Sequence, residues 1–465
     1  MTTHSMKVIK KKKMISFQSL MLISILAMTC LLCTTNFTVL REIKQVNSPQ
    51  GEFKLTRKLG NIDEHHFMSQ CPRNITETEI ATTLVTQTTV DRLEHLERTC
   101  KRWSSSIVAA VYIKNNKEEK EIWTRKVSSF SKECPQLKLI PYISHKDKPG
   151  NYPINTLRNI GFDAVETSHV LMIDIDFIPS ENLDIETKKA VKRLISKGSG
   201  RNSPVLSRDR DQTYSHFHAL IVPAYERKFD AEECTDLNQC IAAVKEDEEF
   251  MPRTVESLKE CVSNNERESV SREDGITPKS KCIVFHSDYY KLGHGFTKSD
   301  DWLRDMNKVE LRTVRCIQEG YEPYLVIPWC PSKLINHGTH VFKENLKGAS
   351  NEEKLSKLLS DPWKPMSPYY DERFYGYGKN KVQHIIHLSA RGYEYVVMPA
   401  TGFLTHYPHA ISGSRVVFDK KNKKLRQSMS DLMNQFMEEL SKKYLKGGIH
   451  DIWTGVCKIA RGRRK

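Results

Sequence analysis

Ile107-Val108-Ala109-Ala110-Val111-Tyr112-Ile113 is an unbroken apolar run, and Leu137 to Ile143 and Val170 to Ile173 come close to repeating it. Short runs without polar alternation suit strands buried on both faces of a sheet. Between them, Ile122, Trp123, Val127 and Phe130 recur at near-helical spacing in the charged segment 118–130. After Pro153, the residues Ile154, Leu157, Ile160, Gly161, Ala164 and Val165 share one helical face. Strand, helix, strand, helix, strand predicts an α/β fold with a mostly parallel central sheet flanked by helices. Further helices are expected over 184–196 and 379–390, and further strands over 218–223, 324–328 and 395–398. Leu425, Met429, Leu432, Met433, Phe436 and Leu440 make 424–443 an amphipathic helix. Residues 230–281 read as a polar, cysteine-bearing insertion, and 332–360 as loop plus a helix over 351–359. From 40 to 99 the chain is polar and weakly periodic, with a short helix near 90–96; it reads as a stem.

The N-terminus sets the expected compartment. Lys7 and Lys10 to Lys13 precede a mainly apolar stretch, 14–39, long enough to span a bilayer. The lysines before it favour a cytoplasmic N-terminus and a type II signal anchor. A cleaved signal peptide with Leu20 to Cys33 as its apolar core is the rival, but no small-x-small cleavage site follows. The expected order is a tail (1–13), an anchor (14–39), a stem (40–99), a lumenal catalytic domain (100–420) and a C-terminal helix with a basic tail (421–465). Of twelve cysteines, Cys30 and Cys33 lie in the span; the other ten, without zinc-ligand spacing, read as disulfides in an oxidising lumen. Asn74-Ile75-Thr76 is a glycosylation sequon on that side of the membrane. The net charge of +15 is spread among acidic residues, apart from basic runs at the termini. No zinc-finger or aromatic-rich RNA-binding signature accompanies it, so nucleic acid is not an expected partner.

Chemistry concentrates where the third apolar run ends, at Asp174-Ile175-Asp176-Phe177-Ile178-Pro179. The carboxyl end of a strand is where open α/β sheets bind ligands. In a strand, D-x-D spacing points both side chains to one face. Two such carboxylates repel unless a cation lies between them, and hard oxygen ligands suit Mn²⁺ or Mg²⁺ bound together with substrate phosphates. A second D-x-D, Asp209-Arg210-Asp211, follows no apolar strand and reads as a solvated loop.

Five blocks in order carry a resemblance. They are Tyr152-Pro153-Ile154-Asn155-Thr156-Leu157-Arg158-Asn159 with the Asp174 strand, Phe217 to Glu226, Gly293-His294-Gly295-Phe296-Thr297 with Trp302, Asp371 to His384, and Met398-Pro399 with Phe403-Leu404-Thr405-His406. Together they are similar to the glycosyltransferase 49 family. The resemblance implies a GT-A-type nucleotide-sugar-binding fold in a Golgi type II membrane protein. It implies Mn²⁺-dependent, inverting transfer of a sugar from a UDP-sugar to a glycan or glycoprotein acceptor. Glucuronate is the favoured sugar and N-acetylglucosamine the alternative. Asp174, Asp176 and His406 match the metal site, with His409 on the same short block as a competitor. Asn155 and Arg158 match positions near the donor nucleotide, with helix capping and salt bridging as their other role. His294 faces donor or acceptor from a Gly-flanked turn, and Lys379 or Lys381 assists the charge of the leaving diphosphate. Asp371 or Glu372 would deprotonate the acceptor. Tyr375, Tyr377 and Trp302 are placed to stack on sugar rings or to pack in the core. Gly295-Phe296 and Lys298 depart from the family pattern, and the departure bears on acceptor preference.

Two other classes compete. An inactive lectin-like or scaffold protein of the same fold would have no reason to keep clustered carboxylates. A metal-dependent phosphohydrolase would need a second cluster of carboxylates and histidines around a second metal, and the sequence offers none.

Overall fold

A computed structural model describes residues 80–144, 152–198, 218–228, 239, 241–242, 251–263, 281–287, 291–304, 310–314, 317, 320–330, 366–409 and 423–444. The expected tail, anchor, Asn74, the Asp209-Arg210-Asp211 loop and the 332–360 segment lie outside these residues.

The chain enters through β1 (Thr82–Thr89), followed by α1 (Glu94–Arg102), β2 (Ile107–Lys114), α2 (Lys117–Glu133) and β3 (Leu137–Ser144). Then come α3 (Ile154–Asp163), β4 (His169–Met172), β5 (Phe177–Pro179), α4 (Leu183–Gly198), β6 (His218–Val222) and β7 (Ala224–Lys228). After α5 (Val255–Ser263) follow β8 (Lys281–Val284), β9 (Arg312–Thr313), β10 (Tyr324–Pro328), α6 (Val382–Ala390), β11 (Glu394–Val397), β12 (Leu404–His406) and α7 (Lys423–Tyr444).

Eight strands form the main sheet in the order β3-β2-β1-β4-β10-β6-β11-β9. The half built from β3, β2, β1 and β4 is parallel, as is the β6–β11 pair. β10 runs antiparallel to both β4 and β6, and β9 is antiparallel to β11, so the sheet is mixed. A second, four-stranded sheet has the order β5-β12-β7-β8.

The runs of β2 and β4 are buried on both faces, as their lack of alternation predicts, whereas β3, at the edge of the sheet, is only partly buried and exposes Lys138 and Pro141. Val85, Val108, Val170 and Ile221 pack on one side with Phe162 of α3. Leu84, Ile107, Leu171 and Leu220 pack on the other with Ala190 and Val191 of α4. The period-2 swap between adjacent residues is the geometry of a strand sandwiched between helices. Gly161 lets α3 lie close on β1, since a Cβ there would stand 2.5 Å from Cγ1 of Val85.

One boundary needs correction. The expected stem, 40–99, is body from β1 onward. β1 lies between β2 and β4, and six of its residues are in register with 107–112. Thr82-Thr83-Leu84-Val85-Thr86-Gln87-Thr88-Thr89 looks polar by hydropathy, but β-branched threonines fit a strand well. Thr82, Thr83, Thr86 and Thr88 are nevertheless buried. The C-terminal helix, set apart from residue 421 in the sequence reading, packs on the body as α7. It buries Met429, Met433 and Phe436, and the Phe436 ring meets Phe374 edge-on at 5.7 Å. Among the described residues, disulfides join Cys100 to Cys134 and Cys261 to Cys282. Among the described residues no helix is long and apolar enough to cross a membrane.

Candidate metal and donor site

β4 leaves the main sheet at Met172, and β5 begins the second sheet at Phe177. Between them the amide of Phe177 donates to the carbonyl of Asp174 at 3.0 Å, closing a turn. Asp174 and Asp176 therefore occupy a turn at the seam of two sheets. The strand rule that put their side chains on one face does not apply there, and the two carboxylates have different partners.

Asp176 belongs to the second sheet's side. β12 pairs antiparallel with β5, with His406 opposite Phe177, and the Tyr407 amide donates to the Asp176 carbonyl at 2.7 Å. This register brings His406 to Asp176 across roughly 230 residues of sequence. Oδ2 of Asp176 lies 3.7 Å from Nε2 of His406 and 2.6 Å from Nε2 of His409. The ligand atoms of Asp176, His406 and His409 all lie within 4.8 Å of one another, the spacing of a metal-binding group. Arg92, from the segment read as stem, reaches the same carboxylate at 3.6 Å. Burial alone would raise the Asp176 carboxyl, but hydrogen bonds from His406 and His409 hold it well below the usual carboxylate range.

Asp174 faces a cationic pair instead. Nη2 of Arg158 and Nζ of Lys381 each approach it to 2.9 Å, and the Tyr324 hydroxyl donates at 3.0 Å. Burial pushes this carboxyl up, yet Lys381 and Arg158 outweigh it and keep it at about 2. Among the described residues, the atoms spaced to hold a metal ion are those of Asp176, His406 and His409. Asp174, expected from the sequence to share the site with Asp176 and His406, contacts Arg158 through Oδ1 and Lys381 and Tyr324 through Oδ2. His409 lies in the same group as His406.

Arg158 is 1% exposed and is held in place by its own neighbours. Its Nη1 donates to Oδ1 of Asn155 and of Asn380, each at 3.0 Å, and its guanidinium lies 5.0 Å over the Tyr370 ring. Asn155 in turn donates to the carbonyl of Asp371 at 2.8 Å. Both α3 residues expected near the donor are thus part of the frame that presents Asp174.

Of the two lysines, Lys381 faces the site. The turn Tyr375 to Lys379 delivers it: Gly376, Gly378 and Lys379 take φ of 67°, 101° and 56°, the left-handed region that glycine adopts at least cost. Asn380 fixes the turn by donating to the carbonyl of Gly376 at 2.9 Å.

His294 is buried on the same wall, its ring 5.9 Å from Tyr324 and 5.1 Å from Phe285. Phe285 also meets His406 at 4.8 Å. Burial, then the charge of Lys381, holds the His294 imidazole well below its usual range, so it is neutral.

Asp371 and Glu372 are placed differently from expectation. The Arg373 guanidinium grips both oxygens of Asp371, at 3.0 Å and 2.6 Å, and reaches on to Glu439 of α7 at 2.6 Å. Glu372 accepts from Asn159 at 2.8 Å and from Thr156 at 3.1 Å. Both carboxylates tie the Asp371–Tyr377 segment to helices. Trp302 is core, donating from Nε1 to the Met398 carbonyl at 2.8 Å, whereas Tyr375 and Tyr377 are exposed.

Known proteins match the chain along this frame. The sequence model of a family described as "Glycosyl-transferase for dystroglycan" matches residues 120–261 and 361–445. Xylosyl- and glucuronyltransferase LARGE1 of Danio rerio is 25% identical over 362 residues, 78% of this chain and 35% of that protein. LARGE1 of Homo sapiens is 23% identical over the same shares, and LARGE2 of Rattus norvegicus is 24% identical over 78% of this chain and 39% of that one. The chain thus spans a little over a third of the length of these relatives. A solved structure of S. aureus TarS aligns over 82% of this chain and 87% of that one at 9% identity, with a TM-score of 0.26, too loose a likeness to bear on the fold.

Proposed function

We propose, for a chain that belongs to the glycosyltransferase 49 family, that it transfers a sugar from a UDP-sugar to a glycan acceptor with inversion, in a GT-A-type site that requires Mn²⁺. The observation that carries the reading is the convergence of Asp176, His406 and His409 on one point beside the Arg158–Asp174–Lys381 cluster.

One carboxylate and two imidazoles suit Mn²⁺ better than Mg²⁺, which prefers an all-oxygen shell. The bound ion would neutralise charge on the donor's diphosphate. Arg158 is pinned by two amide oxygens, so it orients Asp174 and does not move to substrate. Lys381 is held by Asp174, Glu322 and the Tyr324 hydroxyl, and it is the ammonium placed to meet a diphosphate entering beside the trio. Tyr375 and Tyr377 offer exposed rings on which an acceptor sugar stacks.

The relatives' names point to glucuronate and xylose as donor sugars. We favour glucuronate for this chain, with N-acetylglucosamine the alternative. Placement in the Golgi behind a 14–39 anchor is supported by the apolar run itself and by the Cys100–Cys134 and Cys261–Cys282 disulfides, which form outside a reducing cytosol.

The test is UDP release by the full chain from a panel of UDP-sugars, with Mn²⁺ or with EDTA. Release from at least one donor that chelation abolishes, and that Asp176→Asn reduces at least tenfold, is expected. No release from any donor, or release indifferent to both changes, overturns the reading in favour of an inactive binding protein.

A further inference from the structure

An inverting transferase needs a group to take the acceptor's proton, and the two carboxylates expected to do so are occupied. Asp371 is chelated by Arg373, and Glu372 accepts from Asn159 and Thr156. Their oxygens are already engaged by protein donors. Asp174 is shared by two cations, and Asp176 by two imidazoles. Glu226 accepts from the His286 amide at 3.2 Å and pairs with Lys228 at 3.0 Å.

Building on the proposed transferase reading, we propose that Glu322 is the catalytic base. It stands in Tyr321-Glu322-Pro323-Tyr324, the segment that feeds β10. β10 is antiparallel to β4, so its entry lies at the same end as the Asp174–Asp176 turn. Two contacts fix Glu322 there. Its amide donates to the carbonyl of Gly293 at 2.8 Å, tying it to the His294 turn. Its carboxylate lies 3.7 Å from Nζ of Lys381, beyond hydrogen-bond length, while that same Nζ touches Asp174 at 2.9 Å. Glu322 is therefore one lysine away from the D-x-D turn, with 27% of its side chain exposed. Burial pushes its carboxyl up against the opposing pull of Lys381, which makes it more basic than an ordinary glutamate. His294, on the turn that Glu322's amide bonds, has lost basicity to burial and to Lys381.

The step balances. An acceptor O–H proton passes to Glu322 Oε, the acceptor oxygen bonds the donor's anomeric carbon, and the bond from that carbon to the β-phosphate oxygen breaks with its electron pair leaving on UDP. Glu322 returns the proton to solvent after release.

The experiment uses the full chain with Mn²⁺ and whichever UDP-sugar of the panel it turns over best, water serving as acceptor. Glu322→Gln is nearly isosteric and Glu322→Asp keeps the charge. UDP affinity is measured by calorimetry alongside turnover. The expected result is a kcat lower by about 100-fold or more for Glu322→Gln, in the range of general-base loss. UDP affinity stays within about threefold, Glu322→Asp recovers part of the rate, and the acid limb of the wild-type kcat/KM profile is missing from the residual activity. A kcat loss below tenfold, a loss confined to UDP affinity, or an acid limb that persists in Glu322→Gln overturns the assignment and leaves Glu322 as a counter-charge for Lys381. If the unsubstituted chain turns over no UDP-sugar, the transferase reading itself falls, and the base with it.

Discussion

The two aspartates of the D-x-D turn should respond oppositely to removal of their charge. Asp174→Asn keeps the side-chain shape but leaves Arg158, 1% exposed, without a counter-charge and Lys381 with only Glu322. At an effective dielectric of about 20, each 2.9 Å contact is worth about 6 kcal/mol before desolvation is counted. Most of that offsets the cost of burying the charges, and breaking such a pair typically costs about 3–5 kcal/mol net. Asp174 is 22% exposed, which screens it partly and puts the expected loss near the lower figure, about 3 kcal/mol. For a body of roughly 400 residues, unfolding entropy is about 0.8 kcal/mol/K, so Tm should fall by about 4 °C. Asp176→Asn strips its charge from the His406 and His409 imidazoles and from Arg92, which is 26% exposed and hydrated. Its cost in EDTA should stay below about 1 kcal/mol. With Mn²⁺ the order reverses. Asp176→Asn should lose the metal-induced rise in Tm, and Asp174→Asn, with the trio intact, should keep most of it. The acid side gives a second reading. The folded Asp174 carboxyl is depressed to about 2, so its stabilisation is present above pH 4 and disappears as pH falls from about 4 to about 2. That acid-dependent loss should be smaller in Asp174→Asn. Calorimetric melts of the full chain in EDTA and in Mn²⁺ make the comparison. Equal destabilisation by the two substitutions in EDTA, or loss of the Mn²⁺ effect in Asp174→Asn alone, would refute the division of the turn.

Further expectations follow from single contacts. His409→Gln should weaken Mn²⁺ binding by about tenfold or more in calorimetric titration while leaving the EDTA melt nearly unchanged; unchanged affinity would remove His409 from the site. Gly161→Ala should destabilise the fold by about 1–3 kcal/mol in denaturant unfolding, because its Cβ meets Cγ1 of Val85 at 2.5 Å, with a loss below about 0.5 kcal/mol showing that α3 can move off β1. Replacing Cys100 and Cys134 together by serine opens a loop of 34 residues and should cost about 3–4 kcal/mol; unfolding midpoints measured with and without reductant decide it.

What could be read from the chain beforehand follows a physical line. The apolar runs of β2 and β4 and the helices around them carry their own signal, because burial on both faces demands continuous hydrophobicity, and β3 keeps an apolar run although it lies partly exposed at the sheet edge. β1 carries no such signal. Its five threonines out of eight residues lower hydropathy while their branched Cβ atoms favour strand, so a hydropathy pattern reads as stem what is the middle of the sheet. At the site, the D-x-D spacing stands out, but spacing alone says nothing about which partners the fold supplies. The turn between β4 and β5 divides the two carboxylates between two sheets, and only the β5–β12 register shows that one meets histidines and the other meets cations. Glu322 is the extreme case. It sits in no motif, beside a proline, ahead of a strand whose direction in the sheet sequence cannot reveal. Had β10 run parallel to β4, Glu322 would lie at the opposite edge of the sheet from the aspartates. Its place near the chemistry is a property of topology, so residues of this kind are found by asking which side chains an antiparallel strand returns to a site rather than which ones resemble a site.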